Sequence, residues 1–288
     1  MRVRILLTFI CLTTISASAS SQDIQQALKQ ECEGKILVLR HPLQKNTQEY
    51  GADGAAVNPG AEGPWTLYGR VAIDQVELSA SALMINAHRV DYKVDRSQGH
   101  LAPFPNKTKV KINIFLHQLP TNLQEAKEAL GRVFAFTRKD VVDSAPEFWR
   151  SYLEGHVAPI PTKAPAASQS QVENKQDVPG SGVAISEQEA IKLYVIGRDV
   201  QPPQAIFTPE PTFPDKASTE NYQGVVILNM VVDATGRVQN IHVIRAMGMG
   251  MEEAAVSVVE KKWRLKPAQR DKKPVAVEMN IEVAFNKF

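Results

Sequence analysis

Apolar residues occupy every second position near the carboxyl end: Val275, Val277, Met279, Ile281, Val283 and Phe285, with Glu278, Asn280 and Glu282 between them. A period of two predicts a strand covered on one face. Before it the period changes. Met251, Ala254, Ala255, Val258, Val259 and Trp263 recur at steps of three and four, with Glu252 and Glu253 at the start and Lys261 and Lys262 at the end. That is an amphipathic helix with charges matched to its dipole. Trp263 is expected to be its largest buried side chain, contributing about 2–3 kcal/mol. Further upstream Val225–Leu228 and Met230–Val232 are apolar on both faces, and Val238–Ile244 returns after Asp233–Gly236. This predicts a hairpin with a buried first strand, in which Gly236 takes the positive φ of the turn.

The first half of the chain has weaker patterning. Lys35–Leu39, Trp65–Leu78, Ala82–Val94 and Val110–Leu116 contain short or alternating apolar runs that predict strands. Asp53-Gly54, Asn58–Gly60 and Glu62–Pro64 punctuate them as turns. Thr121-Asn122 then caps a helix bearing Leu123, Ala126, Leu130 and Phe134, and Ser144–Glu147 opens another with Phe148, Trp149, Tyr152 and Leu153 on its apolar side. Strands first and helices last predict an α+β or barrel-like arrangement.

Between the halves the texture changes. Residues 155–205 are rich in Pro, Ser, Gln and Gly and poor in large apolar side chains, which predicts a linker that lets the second part move relative to the first. Within it, Ser186–Glu189 followed by Ala190, Ile191, Leu193 and Tyr194 suggests one short capped helix. The expected organisation is a leader at 1–19, a β-rich α+β domain of unassigned role at 20–154, the linker at 155–205, and a small domain at 206–288.

The leader follows from Arg2 and Arg4, the apolar run Ile5–Ile15 and Ala17-Ser18-Ala19. This is the pattern of a secretory signal cleaved after about Ala19. An uncleaved anchor is the alternative, but the apolar run spans only about half of a ~30 Å hydrocarbon core. The expectation is therefore a periplasmic protein, with an inner-membrane anchor as the alternative. Removal of the leader leaves Cys32 as the single thiol, so no internal disulfide forms. Cys32 is either an ordinary small buried residue or a covalent link to a partner.

Composition is ordinary for a globular protein, with 43% hydrophobic and 22% charged residues among 288. The net charge of +2 gives no argument for nucleic acid. The basic cluster from Lys261 to Lys273 fits a solvated helix end. His41, His88, His100 and His117 have no metal-ligand spacing, and no phosphate loop or nucleophile elbow occurs. Neither an enzyme nor a cofactor is expected.

The order of elements in the last eighty residues carries a resemblance. Pro211–Ala217 (PTFPDKA), Gly224 before the first strand, Asp233–Gly236, Trp263–Pro267 (WRLKP) and the closing strand Val275–Phe285 stand at the spacing of the TonB C-terminal domain. The segment from about 208 to 288 resembles that family. Phe213 stands where the family commonly has tyrosine. The resemblance implies partner binding by strand addition, in which a peptide from an outer-membrane TonB-dependent receptor pairs with the last strand. Carried over, Val277, Met279, Ile281 and Val283 would supply backbone groups, with Glu210, Pro211, Phe213 and Pro214 beside the guest. The implied function is a periplasmic TonB-like protein in energy-coupled outer-membrane transport. The alternative is a ligand- or cell-wall-binding protein that uses the module for docking or for homodimerisation. Either reading requires a free edge on the closing strand.

Overall fold

A computed structural model of the chain describes residues 20–95, 99–156, 193–197 and 199–286. The expected leader and most of the expected linker lie outside the described residues. The chain begins with α1 (Ser21–Cys32), which the sequence pattern did not predict. Ser20 caps it: its hydroxyl accepts from the Asp23 N–H at 3.2 Å while the Asp23 carboxylate accepts from the Ser20 N–H at 3.0 Å. Then come β1 (Ile36–Leu39), β2 (Thr47–Tyr50), β3 (Ala56–Val57), α2 (Trp65–Tyr68), β4 (Arg70–Leu78), β5 (Ala82–Val94) and β6 (Leu101–Phe115). The first half closes with α3 (Leu123–Val133), β7 (Phe134–Ala135), α4 (Arg138–Ser144) and α5 (Glu147–His156). The second half contains β8 (Leu193–Tyr194), β9 (Val200–Gln201), β10 (Gln204–Phe207), α6 (Asp215–Thr219), β11 (Gly224–Val232) and β12 (Val238–Arg245). It ends with α7 (Met251–Lys262), β13 (Arg264–Lys266), β14 (Ala268–Arg270) and β15 (Lys273–Phe285).

The mixed α+β class is as expected. The first half is a seven-stranded sheet in the order β3-β2-β6-β5-β4-β1-β7. Its inward rows Val71, Ile73, Leu83, Ile85, Val110, Ile112 and Ile114 are buried with Ile24 and Leu28 of α1 and Ala126 and Leu130 of α3. Trp65–Tyr68 corrects one sequence expectation: it is a helical turn, because Pro64 fixes an extended entry and the Tyr68 and Gly69 N–H groups bond back to Pro64 and Trp65. Cys32 is buried, and burial pushes its thiol up to about 11. At neutral pH it is a poor nucleophile, which disfavours a covalent link to a partner.

The second half has a sheet ordered β12-β11-β15-β14-β9, with β10 and β13 forming a separate ribbon. The β11–β12 turn forms as its residues require. Asp233 Oδ1 accepts from the N–H groups of Thr235 and Arg237 at 2.8 and 3.0 Å, and Gly236 has φ +84°. A Cβ at Gly236 would come within 2.1 Å of the Leu265 carbonyl oxygen. Met251, Ala255, Val258 and Val259 of α7 are buried against the sheet. Trp263 departs from expectation: it is partly exposed and caps the helix, its indole N–H donating to the Pro209 carbonyl at 3.2 Å.

The two halves are joined through a common core, so the independent movement expected of a linker is opposed by packing. Trp65, Ala145, Trp149 and Tyr152 belong to the same buried cluster as Val226, Leu228, Met251 and Val259. The tip of the β5–β6 hairpin reaches the second half. The Met249 N–H donates to the Tyr92 carbonyl at 2.9 Å, and the Val94 N–H to the Met247 carbonyl at 3.0 Å. Gly248, at φ +85°, permits this approach, since a Cβ there would lie 2.0 Å from the Tyr92 oxygen. Lys216 of α6 pairs with the buried Asp91 carboxylate, which also accepts from Asn106 Nδ2 at 3.0 Å. α5 packs along β12.

Candidate functional site: the edge of the closing strand

β15 pairs antiparallel with β11 from Val277↔Val232 to Phe285↔Gly224. Alternation sets its faces. Val277, Val283 and Phe285 are buried, and Met279 and Ile281 pack on the same core, while Glu278, Asn280, Glu282 and Ala284 are exposed. The side chains of Val277, Met279, Ile281 and Val283 are thus spent on the core. What they can offer a guest is backbone alone.

The far side of β15 is divided. β14 folds back on its first residues, with Ala268↔Val275 and Arg270↔Lys273. β8 lies parallel to it with Leu193↔Ala276 and Tyr194↔Val277. Val277 therefore lies between two strands, Val232 on one side and Tyr194 on the other, which corrects the expectation that its backbone is open. Leu193 and Tyr194 are strand, not the end of a capped helix; residues 186–189 of that expected helix lie outside the described residues. Along 278–285 no strand among the described residues pairs with the far side of β15. That stretch is about 27 Å long at ~3.4 Å per residue.

The segment 209–214 is brought to the Phe285 end of this edge. Its start is held by the β10–β13 ribbon and by the Trp263–Pro209 hydrogen bond. Its end is held by Pro214, whose carbonyl accepts from the Ser218 N–H of α6 at 2.8 Å. Between these anchors the Phe213 ring meets Phe285 edge-on, with centroids 5.6 Å apart. The contact needs no hydroxyl, so Phe213 serves as well as tyrosine for this packing. Glu210 is exposed, and Pro211 is half-exposed. Val277 lies at the opposite end of the strand from Phe213.

Sequence reasoning missed a second constellation. Glu252 and Glu253 open α7, where acids usually sit in solvent near the positive helix end. Here Glu252 is fully buried, and its Oε1 accepts from the N–H groups of Met247 and Gly248. Glu253 Oε1 accepts from the Trp65 N–H at 2.9 Å and the Trp149 indole N–H at 3.1 Å. Their Oε2 atoms are buried without a hydrogen-bond partner among the described residues. Burial raises the affinity of both carboxyls for a proton, and it lifts Glu252 to about 7. The available signal was the Gly248–Gly250 run before the acids, which marks close backbone approach. Beside this pair a cleft of about 550 Å³ opens, lined in part by Arg40, His41, Trp65, Arg150 and Glu253. No cluster of three metal-ligating side chains occurs among the described residues. No helix among them is long and apolar enough to cross a membrane.

Comparison with known proteins places the closing module. Residues 209–286 match the family model described as the Gram-negative bacterial TonB protein C-terminal. This match supports a TonB C-terminal domain in that segment, and domains of this family are interaction modules. Among solved structures, the chain matches the solution NMR structure of the Pseudomonas aeruginosa TonB C-terminal domain. The two share 18% identity over 33% of this chain and 97% of that one, with a TM-score of 0.24. No curated protein matches the chain.

Proposed function

We propose that this protein is a periplasmic adaptor that receives an extended peptide of an outer-membrane TonB-dependent receptor by strand addition along residues 278–285. The observation that carries it is the asymmetry of β15. One side is paired with β11 from Val277 to Phe285, while the far side of 278–285 has no strand partner among the described residues. An edge of this kind presents backbone donors and acceptors to an incoming chain. In TonB, the C-terminal domain binds outer-membrane receptors, and the match over residues 209–286 supports the same role here. Phe213 and the 210–214 segment flank the Phe285 end of the edge, where they would border the guest. Coupling of this docking to energised transport is the further step of the same reading.

The test uses the full chain, because the shared core makes an isolated fragment an unsuitable probe. Labelled periplasmic N-terminal peptides from the same organism's outer-membrane transporters are titrated with the protein and followed by anisotropy. Saturable binding that protects 278–285 from hydrogen exchange supports the proposal. Absence of binding across the set removes it.

The cleft beside Glu253 favours a second reading, in which the first half holds a small ligand and the closing domain only docks or pairs two copies. Sedimentation of the full chain decides the pairing. A protein that remains monomeric while binding receptor peptides excludes dimerisation through the same edge.

A further inference from the structure

We infer that Leu193–Tyr194 is a built-in stop on the receiving edge, which limits the guest to the stretch beyond Val277. This rests on the strand-addition reading above. β8 occupies the same side of β15 that a guest would take, covering Ala276 and Val277. Its attachment has two parts of unequal strength. Among the described residues the pairing is two residues long and parallel, the weaker geometry per residue. Leu193 is 44% exposed and Val195, where the chain leaves the edge, is 87% exposed. The tether beside it is firm. Gly197 and Val200 exchange two backbone hydrogen bonds, Val200 is buried, and β9 pairs with β14 through Gln201↔Gln269 and Val200↔Arg270. The Arg270 guanidinium also lies 5.4 Å from the Tyr194 ring.

A short strand that binds weakly but is tied closely remains at high local concentration next to its place. It competes with any guest that extends past Glu278 and leaves a guest confined to 278–285 untouched. The partner best matched to the resting protein is therefore a peptide that pairs over no more than eight residues. A longer one must first displace β8.

The experiment compares peptides of eight and of twelve residues drawn from the N-termini of the same organism's outer-membrane transporters. Each is titrated into the full chain and into the variants Leu193→Pro and Tyr194→Ala, with circular dichroism confirming the fold of each variant. Releasing two net backbone hydrogen bonds corresponds to roughly tenfold in affinity. The twelve-residue peptides are expected to bind the variants about tenfold more tightly than the parent protein, and the eight-residue peptides equally. Equal or weaker binding of the long peptides to both variants overturns the stop while leaving strand addition in place. Failure of every peptide on all three proteins removes strand addition and this proposal together.

Discussion

The indole N–H of Trp149 donates to Oε1 of Glu253 at 3.1 Å, joining the last helix of the first half to the first turn of α7. The same oxygen takes the Trp65 N–H. One carboxyl oxygen thus satisfies two donors from α2 and α5, and both tryptophan side chains are buried around it. Replacement of Trp149 by phenylalanine keeps most of the ring and removes one donor. The expected loss is about 1–3 kcal/mol in urea unfolding, with the midpoint lowered and the slope unchanged.

Glu252 makes the same seam sensitive to pH. Its folded-state value is raised from 4.5 to about 7, chiefly by burial and then by the Glu253 charge. The folded protein therefore binds a proton more readily than the unfolded chain. Stability from this group is fully present below pH 4.5 and is lost as pH rises through about 7. The loss is on the order of 3 kcal/mol. Glu252→Gln is expected to make the decline of melting temperature between those limits shallower than in the parent, with the remaining slope coming from Glu253, whose carboxyl burial also raises.

Lys216 lies inside the motif that marks the closing domain, yet its partner Asp91 belongs to the first half. Lys216→Met leaves a carboxylate that is 3% exposed, with the Asn106 side-chain amide still donating to it. A loss of about 2 kcal/mol is expected. Lys216→Met combined with Asp91→Asn should lose less than the sum of the single changes in a double-mutant cycle.

The receiving edge can be separated from the core by two prolines. Neighbouring residues of an antiparallel strand direct their N–H groups to opposite sides. One of Met279 and Asn280 thus donates toward β11 and the other toward the far side. Of Met279→Pro and Asn280→Pro, one should lower the melting temperature sharply. The other should melt closer to the parent and lose peptide binding. Equal behaviour of the two in both measurements contradicts a free edge at 278–285.

The parts legible in the sequence were those with local causes. The β11–β12 turn was predicted because Asp233 and Gly236 carry its hydrogen bonds and its positive φ within five residues. β15 was visible because it alternates over eleven positions, and the α3 start because Asn122 accepts from the Glu125 N–H at 3.0 Å. α1 escaped because only Ile24, Leu28 and Cys32 mark its buried side. At Leu193–Tyr194 the local pattern suggests helix, whereas the strand's register is imposed by Ala276 and Val277, more than eighty positions away. The seam was illegible for the same reason: Trp65 and Glu253 are 188 residues apart, and nothing near either predicts the other.

The closing domain is anchored on Thr66, whose hydroxyl accepts from the Gly250 N–H at 2.9 Å, and on Tyr92 and Trp149, which has a practical consequence for protein engineering. The domain is not portable. A chimera that grafts residues 206–288 onto another carrier would leave the Gly250 N–H and the Glu253 carboxyl without the groups that complete them, and would open an apolar flank to water. A workable exchange must transplant the β5–β6 tip, α2 and α5 along with it.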